Sequence, residues 1–363
     1  GAYIAYRKYR KKRKGRAPSG RRILKRQQRR ARRYAQEMQH LIALVNRQNA
    51  TTHWLIPTPF WPESLGIAHP KTVVCPDLVL QEFPLRFADP ATEATYARIL
   101  NTLQNAESLI TYSEYTKQVQ LVQGVGVAPE QVTVIPHARV DLNGCLSLGN
   151  KATGKVRSME ERREIALEVL RHYQRSTLHT NPFWNRTRWD QTRFVFYSSQ
   201  SRGHKNILSL LRSIEILRHR AGEPVRAVLT CERTPDSEID LFVKEHQLDA
   251  WVLFAPQVSN TVLAALYCNA SLAVNPSLFE GGFPFTFSEA YSVGTPSVMS
   301  DVGVVREFVL NEELRRRMLF NPHDPRDMAG KIQWGIDHRQ ELLELQTSLD
   351  DPFSTWDVVA SNY

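Results

Sequence analysis

The chain has 363 residues, enough for two domains at ~100–200 residues each. Its 42% apolar and 23% charged content is that of a globular protein. No apolar run reaches the ~18 residues of a transmembrane helix, and no apolar stretch follows the basic start as a secretory signal requires.

The charge is unevenly spread. Between Arg7 and Arg33 lie 16 Lys or Arg, and no acid occurs before Glu37. The net +10 therefore resides in this segment, and the remainder carries 31 basic against 37 acidic residues. An arm of this kind meets anionic lipid, nucleic acid or an acidic partner. After residues 1–20, taken as a flexible arm, a helix is predicted over 21–46. Leu24, Ala31, Tyr34, Met38, Leu41, Ile42 and Val45 recur there at helical spacing, with Arg on the other faces.

Strands are predicted at 53–56, 72–75, 108–112 and 132–135, with helices at 92–104 and 116–123. Residues 142–191 form a linker with a charged helix at 158–175 and a packed aromatic cluster, Trp184 to Trp189. Alternation then resumes. Strands are predicted at 193–198, 225–230, 251–254, 271–275 and 297–300. Helices are predicted at 207–218, 236–245, 260–268, 285–293, 304–310 and 325–339. This is the pattern of a doubly wound parallel sheet. The predicted divisions are 1–20 arm, 21–141 N-terminal domain, 142–191 linker, 192–345 C-terminal domain and 346–363 final helix. Cys75, Cys145, Cys231 and Cys268 form no C-x-x-C pair and read as buried thiols of a reducing cytosol.

The most informative stretch is NPSLFEGGFPFTFSEAYSVGTPSVMSDVG, residues 275–303. A strand ends near Asn275, and a loop carries Glu280, Gly281 and Gly282 into a helix that opens at Pro284 and ends by Gly294 and Pro296. Glycines before a helix N-terminus let a diphosphate approach free N–H groups and the positive end of the dipole. Two carboxylates, Glu280 in the loop and Glu289 in the helix, can address different parts of one ligand.

This stretch resembles the signature region of family 4 glycosyltransferases, retaining enzymes of the GT-B fold. Its pattern is P-S-x-x-E-G-F-G, a second Glu-Ala, then G-T-P. The resemblance implies that Glu280 contacts the donor sugar and Glu289 holds the ribose hydroxyls. Gly281, Gly282 and Phe283 would supply the phosphate loop. Eight residues separate the two Glu here, where the family has seven.

FVFYSSQSRGHKNILSLL, residues 194–211, is similar to the family's segment carrying the diphosphate cations. Lys205 matches the lysine, Arg202 lies in the same loop, and Gln200 falls on the arginine position. VLFAPQVSNTVLAALYCNASLAVNPS resembles the base-binding segment and implicates Val258. KTVVCPDLVLQEFP is similar to V-V-x-H-D-L; Asp77 is retained as a catalytic candidate and Pro76 replaces the His.

The resemblance implies two Rossmann-like domains facing across a cleft, the N-terminal one truncated or reduced, with a last helix crossing back. It implies a nucleoside-diphosphate-sugar donor (GDP-mannose or UDP-hexose), no further cofactor, and a glycan or polyprenyl-linked acceptor in cell-surface polysaccharide synthesis. With no D-x-D triplet, no metal is required. The chain is expected in the cytoplasm, with residues 7–33 touching the inner face of an anionic membrane. Nucleic acid is disfavoured, since the body of the chain is acidic.

Plainer readings stand beside these. Two Glu near a helix start complement its dipole, Asp77 can cap a turn, and His137 reads as a hinge residue. A sugar-nucleotide epimerase of the same fold is the alternative among enzymes, and Pro76, Gln200 and the altered loop also fit a non-catalytic sugar-nucleotide-binding protein.

Overall fold

The computed structural model describes residues 20–48, 53–87, 89–146, 158–177, 181–219, 224–349 and 354–363. The basic arm, apart from Gly20, lies outside them, as does the cationic stretch as far as residue 19. The chain opens on helix α1 (Gly20–Val45). From residue 28 onward its side chains are exposed except in the last two turns, where Met38 and Ile42 are half-buried and Val45 is buried. Those turns lean on the turn Pro62–Gly66, with Ile42 beside Gly66. The predicted apolar stripe therefore divides. Its C-terminal end packs on the domain, and Tyr34 stands 48% exposed. Lys25, Arg26, Arg29, Arg30, Arg32 and Arg33 are exposed and share the opposite half of the helix by its 3.6-residue period.

Four short parallel strands follow: β1 (Trp54–Ile56), β2 (Lys71–Val74), β3 (Ser108–Thr111) and β4 (Val132–Val134), in that spatial order. Helix α2 (Pro90–Gln104) and the segment Thr116–Val125, which winds with wider π spacing, supply crossovers. Asp89 caps α2 from the N-cap position, accepting from Ala91 and Thr92 N–H at 3.1 Å. Val73, Cys75, Leu103, Leu109 and Leu121 form the centre of this core.

The linker carries helix α3 (Met159–Ser176) behind a reciprocal cap between Ser158 and Glu161. The tryptophans behave as predicted: Trp184 and Trp189 are 2% and 3% exposed and meet edge to face. Three cysteines are buried, and Cys145 is only partly so.

The second sheet comprises β5 (Phe194–Tyr197), helix α4 (Ile207–Arg218), β6 (Arg226–Leu229), β7 (Val252–Phe254), helix α5 (Asn260–Asn269), β8 (Leu272–Asn275), helix α6 (Phe285–Ser292), β9 (Ser297–Ser300), helix α7 (Gly303–Phe308) and β10 (Leu319–Phe320). All its pairings are parallel, in the order β10-β9-β8-β5-β6-β7. The direction of winding reverses between β5 and β8, which opens a crevice at the carboxyl ends of those strands. Two-residue β10 is too short to read from periodicity. The predicted helix at 325–339 breaks at His338, so helix α8 spans Pro325–Asp337. Helix α9 (Trp356–Ser361) returns to the first sheet, where Val359 is buried with Val74, Ile110, Ile135 and Ala138.

The carboxyl ends of the two sheets meet. A Cβ on Gly281, after β8, would stand 2.2 Å from the Pro76 carbonyl oxygen and 2.5 Å from Asp77 Cβ, after β2. Ser113 and Thr116 hydroxyls, after β3, donate to the Gly281 carbonyl at 2.8 and 3.0 Å. Backbone N–H groups of Glu114 and Tyr115 donate to the Glu307 carboxylate on α7 at 2.9 and 3.0 Å. On the linker side, Ser288 and Ser292 accept from Val140 and Leu142 N–H.

Candidate active site

Two segments build the crevice. After β5 the chain makes a tight turn, Gly203–Lys205, into Asn206, whose left-handed φ of 54° starts α4. Asn206 is held by its own amide, which donates to the Pro276 and Pro322 carbonyls at 3.0 and 2.8 Å. That ties the β5 loop to the ends of β8 and β10 and fixes where Lys205 emerges. After β8, Asn275 accepts from Ser277 N–H and donates to Thr286 at the start of α6. Tyr197, buried at the end of β5, shares a 3.0 Å hydrogen bond with Ser277.

A cavity of about 560 Å³ lies between these segments, with Arg202, Lys205, Glu280 and Glu289 among its lining residues. Lys205 Nζ donates to Glu280 Oε1 at 2.8 Å, the two side chains 23% and 16% exposed. Glu289 accepts a 2.8 Å hydrogen bond from the buried Tyr267 hydroxyl. Burial raises the Glu289 pKa above its usual value, and the Tyr267 bond partly offsets this. Tyr267 thereby occupies Oε2 and leaves Oε1 as acceptor for a ligand.

The wall beside the start of α6 is Pro284, Phe285 and Thr286. Gly281 and Gly282, the glycines read as the phosphate loop, lie against the first sheet on the side that a Cβ would occupy. A Cβ on Gly282 would meet His137 at 2.9 Å and Tyr112 at 3.0 Å. Phe283 is 3% exposed, packed between Phe287 and Phe308. The interval with one residue more than the family's runs through this glycine pair, which allows close approach of the two sheets. Asp77 sits across from this loop. Its Oδ1 accepts from Val79 N–H at 3.1 Å, the turn-capping geometry. Burial raises its pKa, and the Glu280 charge adds to the rise.

His137 is buried and stacked against Phe285 at 3.9 Å between centroids, with Tyr112 edge-on at 5.6 Å. Burial lowers its pKa and favours the neutral ring. It packs the junction between the sheets.

A second cavity, about 670 Å³, adjoins the first through Ser198, Ser199 and Gln200, and Val258 lines it. Gln200, at the position matched to the family's arginine, thus stands at the junction of the two cavities. Sequence reasoning missed Tyr267, Asn206 as an anchor, and the Glu307 contact. Tyr267 lies in the segment read as base-binding, which marks its neighbourhood but not its bond to Glu289, and nothing in the sequence pairs Glu307 with residues 114 and 115.

Residues 191–338 match the model of the family described as glycosyl transferases group 1. No curated protein matches the chain. Among solved structures, Anabaena HepE in complex with UDP and glucose superposes with a TM-score of 0.66 at 14% identity, over 90% of this chain and 79% of that one. Sucrose-phosphate synthase from Thermosynechococcus elongatus gives 0.60 at 17% identity, over 85% and 71%. A UDP-forming trehalose-phosphate synthase from Burkholderia xenovorans gives 0.59 at 12%, over 90% and 76%. At these identities the likeness establishes the fold, two Rossmann-like units of the GT-B type.

Proposed function

We propose, from the match of residues 191–338 to the model of the glycosyl transferases group 1 family, that the protein is a retaining glycosyltransferase using a nucleoside-diphosphate sugar. The carrying observation is one crevice, at the winding reversal of the second sheet, that gathers Arg202, Lys205, Glu280, Glu289 and the start of α6. Cations and a helix N-terminus suit a diphosphate. A carboxylate with a free oxygen suits a ribose diol, which donates two hydrogen bonds.

In this reading the Lys205 ammonium moves from Glu280 to the diphosphate as the donor enters. It then stabilises the negative charge that grows on the departing phosphate. Glu280, released, accepts from sugar hydroxyls. The acceptor hydroxyl attacks the anomeric carbon from the face the diphosphate leaves, and its proton passes to the departing phosphate oxygen. Asp77, close enough to feel the charges of Glu280, Lys205 and Arg202, is read as facing the donor sugar beside Glu280. The donor is read as GDP-mannose or a UDP-hexose, the second suggested by the UDP named for HepE and the Burkholderia enzyme. The acceptor is read as a glycan or polyprenyl-linked sugar of cell-surface polysaccharide synthesis.

Donor hydrolysis over a nucleotide-sugar panel tests this reading. Hydrolysis of one donor supports transfer, and an epimerised product replaces it with epimerase chemistry. Binding without turnover replaces it with a non-catalytic role.

A membrane contact through residues 7–33 belongs to the same proposal. No helix among the described residues is long and apolar enough to cross a membrane. The described part of α1 offers six exposed cations opposite a partly free apolar stripe, the pattern of a helix lying on an anionic surface. Flotation on anionic liposomes that survives high salt, or that is equal without residues 1–33, counts against it.

A further inference from the structure

The second cavity has a chemically one-sided rim. On the donor-site reading above, on which this inference rests, it receives the nucleotide base. Its lining includes apolar Pro256, Val258 and Leu263 beside serine and threonine hydroxyls. Its rim carries Glu232, from the loop after β6, and Gln257, from the loop after β7. The Gln257 amide reaches across to Glu232 Oε1 at 3.5 Å, from a left-handed backbone with φ of 57°. The neighbouring cation is turned elsewhere: Arg233 pairs with Asp240 and Asp249, each at 2.6 Å. Among the described residues Glu232 forms no ion pair, so its carboxylate keeps acceptor capacity at the mouth of the cavity.

The four bases present different edges to such a group. Guanine offers N1–H beside N2–H₂, two adjacent donors for the two oxygens of a carboxylate. Uracil offers a single N3–H between two carbonyl oxygens, which a carboxylate repels. Adenine and cytosine offer one amino group beside a ring-nitrogen acceptor. A lone carboxylate therefore attracts guanine and acts against uracil at the same time. We propose that Glu232 selects the donor's base and that the donor is a guanosine-diphosphate sugar.

The test is calorimetric titration of the full chain with GDP, UDP, ADP and CDP, for the wild type, Glu232→Gln and Gln257→Ala. A paired carboxylate–base contact discriminates by roughly 10- to 100-fold, so GDP is expected to bind tighter than UDP by that factor. In Glu232→Gln the amide can donate to a uracil carbonyl, so GDP weakens, UDP strengthens and the ratio falls toward one. Gln257→Ala frees the carboxylate and leaves the preference for GDP in place. Equal wild-type affinity for GDP and UDP, or a ratio unchanged in Glu232→Gln, overturns the base assignment while the donor site stands. Failure of all four nucleotides to bind folded protein overturns the donor-site reading and this proposal with it.

Discussion

The loop that joins β8 to α6 shows two kinds of surface within ten residues. At Gly281 and Gly282 it is packed against the first sheet, and the Gly281 carbonyl is met by two hydroxyls. At Pro284, Phe285 and Thr286 it lines an open cavity opposite Arg202 and Lys205. On the first side the Gly281 carbonyl already has partners. On the second side, side chains of both signs converge on space large enough for a ligand. Glycine beside an acid and a helix start therefore reads two ways, as phosphate loop or as contact between domains. Which glycine faces which way is decided by the opposing sheet.

That contrast can be broken experimentally. The largest effect is expected from Lys205→Ala on the cavity side. Loss of one charge-stabilising donor costs about 10²- to 10³-fold in turnover, measured on whichever donor the hydrolysis panel identifies. A decrease under about fivefold would remove Lys205 from the chemistry.

On the packed side, Gly281→Ala must move backbone, because its nearest neighbours are the Pro76 carbonyl and Asp77 Cβ. The expected outcome is a raised donor KM and a larger radius of gyration in X-ray scattering, as the two sheets separate. Gly330→Ala is the control. It lies in α8 with nothing within 4 Å of the added Cβ, and alanine there should stabilise by about 0.5–1 kcal/mol. If Gly281→Ala behaves like Gly330→Ala, the close approach of the sheets is not needed for function.

A milder disturbance of the same contact is Ser113→Ala, which removes one of two hydrogen bonds to Gly281. A single such bond contributes about 0.5–1.5 kcal/mol, so the KM change should be smaller than for Gly281→Ala and in the same direction. An effect on turnover with KM unchanged would place Ser113 in the chemistry instead.

Most of the second sheet was legible in the sequence because its strands are continuous apolar runs bounded by glycine, proline or polar turns. Phe194 to Tyr197 and Leu272 to Asn275 are fully buried strands of that kind. That the Lys205 and Glu280 loops, 75 residues apart, share one crevice was implied by matching two motifs; the ion pair between the two side chains was not. Local pattern could not reveal contacts made by opposing loops. The hydroxyls of Ser113 and Thr116, the Glu307 carboxylate and the Asn206 anchor are ordinary polar residues in sequence. They acquire roles only when two chain segments over 60 residues apart are brought together. The placement of Gly281 and Gly282 belongs to that class. The divided stripe of α1 does too, since periodicity gives a face but not how far along the helix the face is covered.

The smallest effect separates binding from stability within the cavity. Glu289 is a carboxylate whose pKa burial raises above its usual 4.5. In the unfolded chain it ionises near that value; in the folded protein it ionises later. As pH rises through 4.5, the unfolded state gains charge first, and folding loses stability until the folded group has also ionised. Above that point the loss is constant. Glu289→Gln removes the buried charge and keeps an oxygen that can accept from the Tyr267 hydroxyl. The ligand-free variant should therefore melt at a higher temperature than wild type at neutral pH, with the two curves converging as pH falls below 4.5. Scanning fluorimetry across that range reads the difference directly, and other acid-sensitive groups cancel because both proteins carry them. Nucleotide affinity should move the opposite way, because an amide accepts from a ribose diol less strongly than a carboxylate. A variant that is less stable at neutral pH, or a melting difference that is independent of pH, would mean that Glu289 is held by contacts within the fold and is not kept ionised for a ligand.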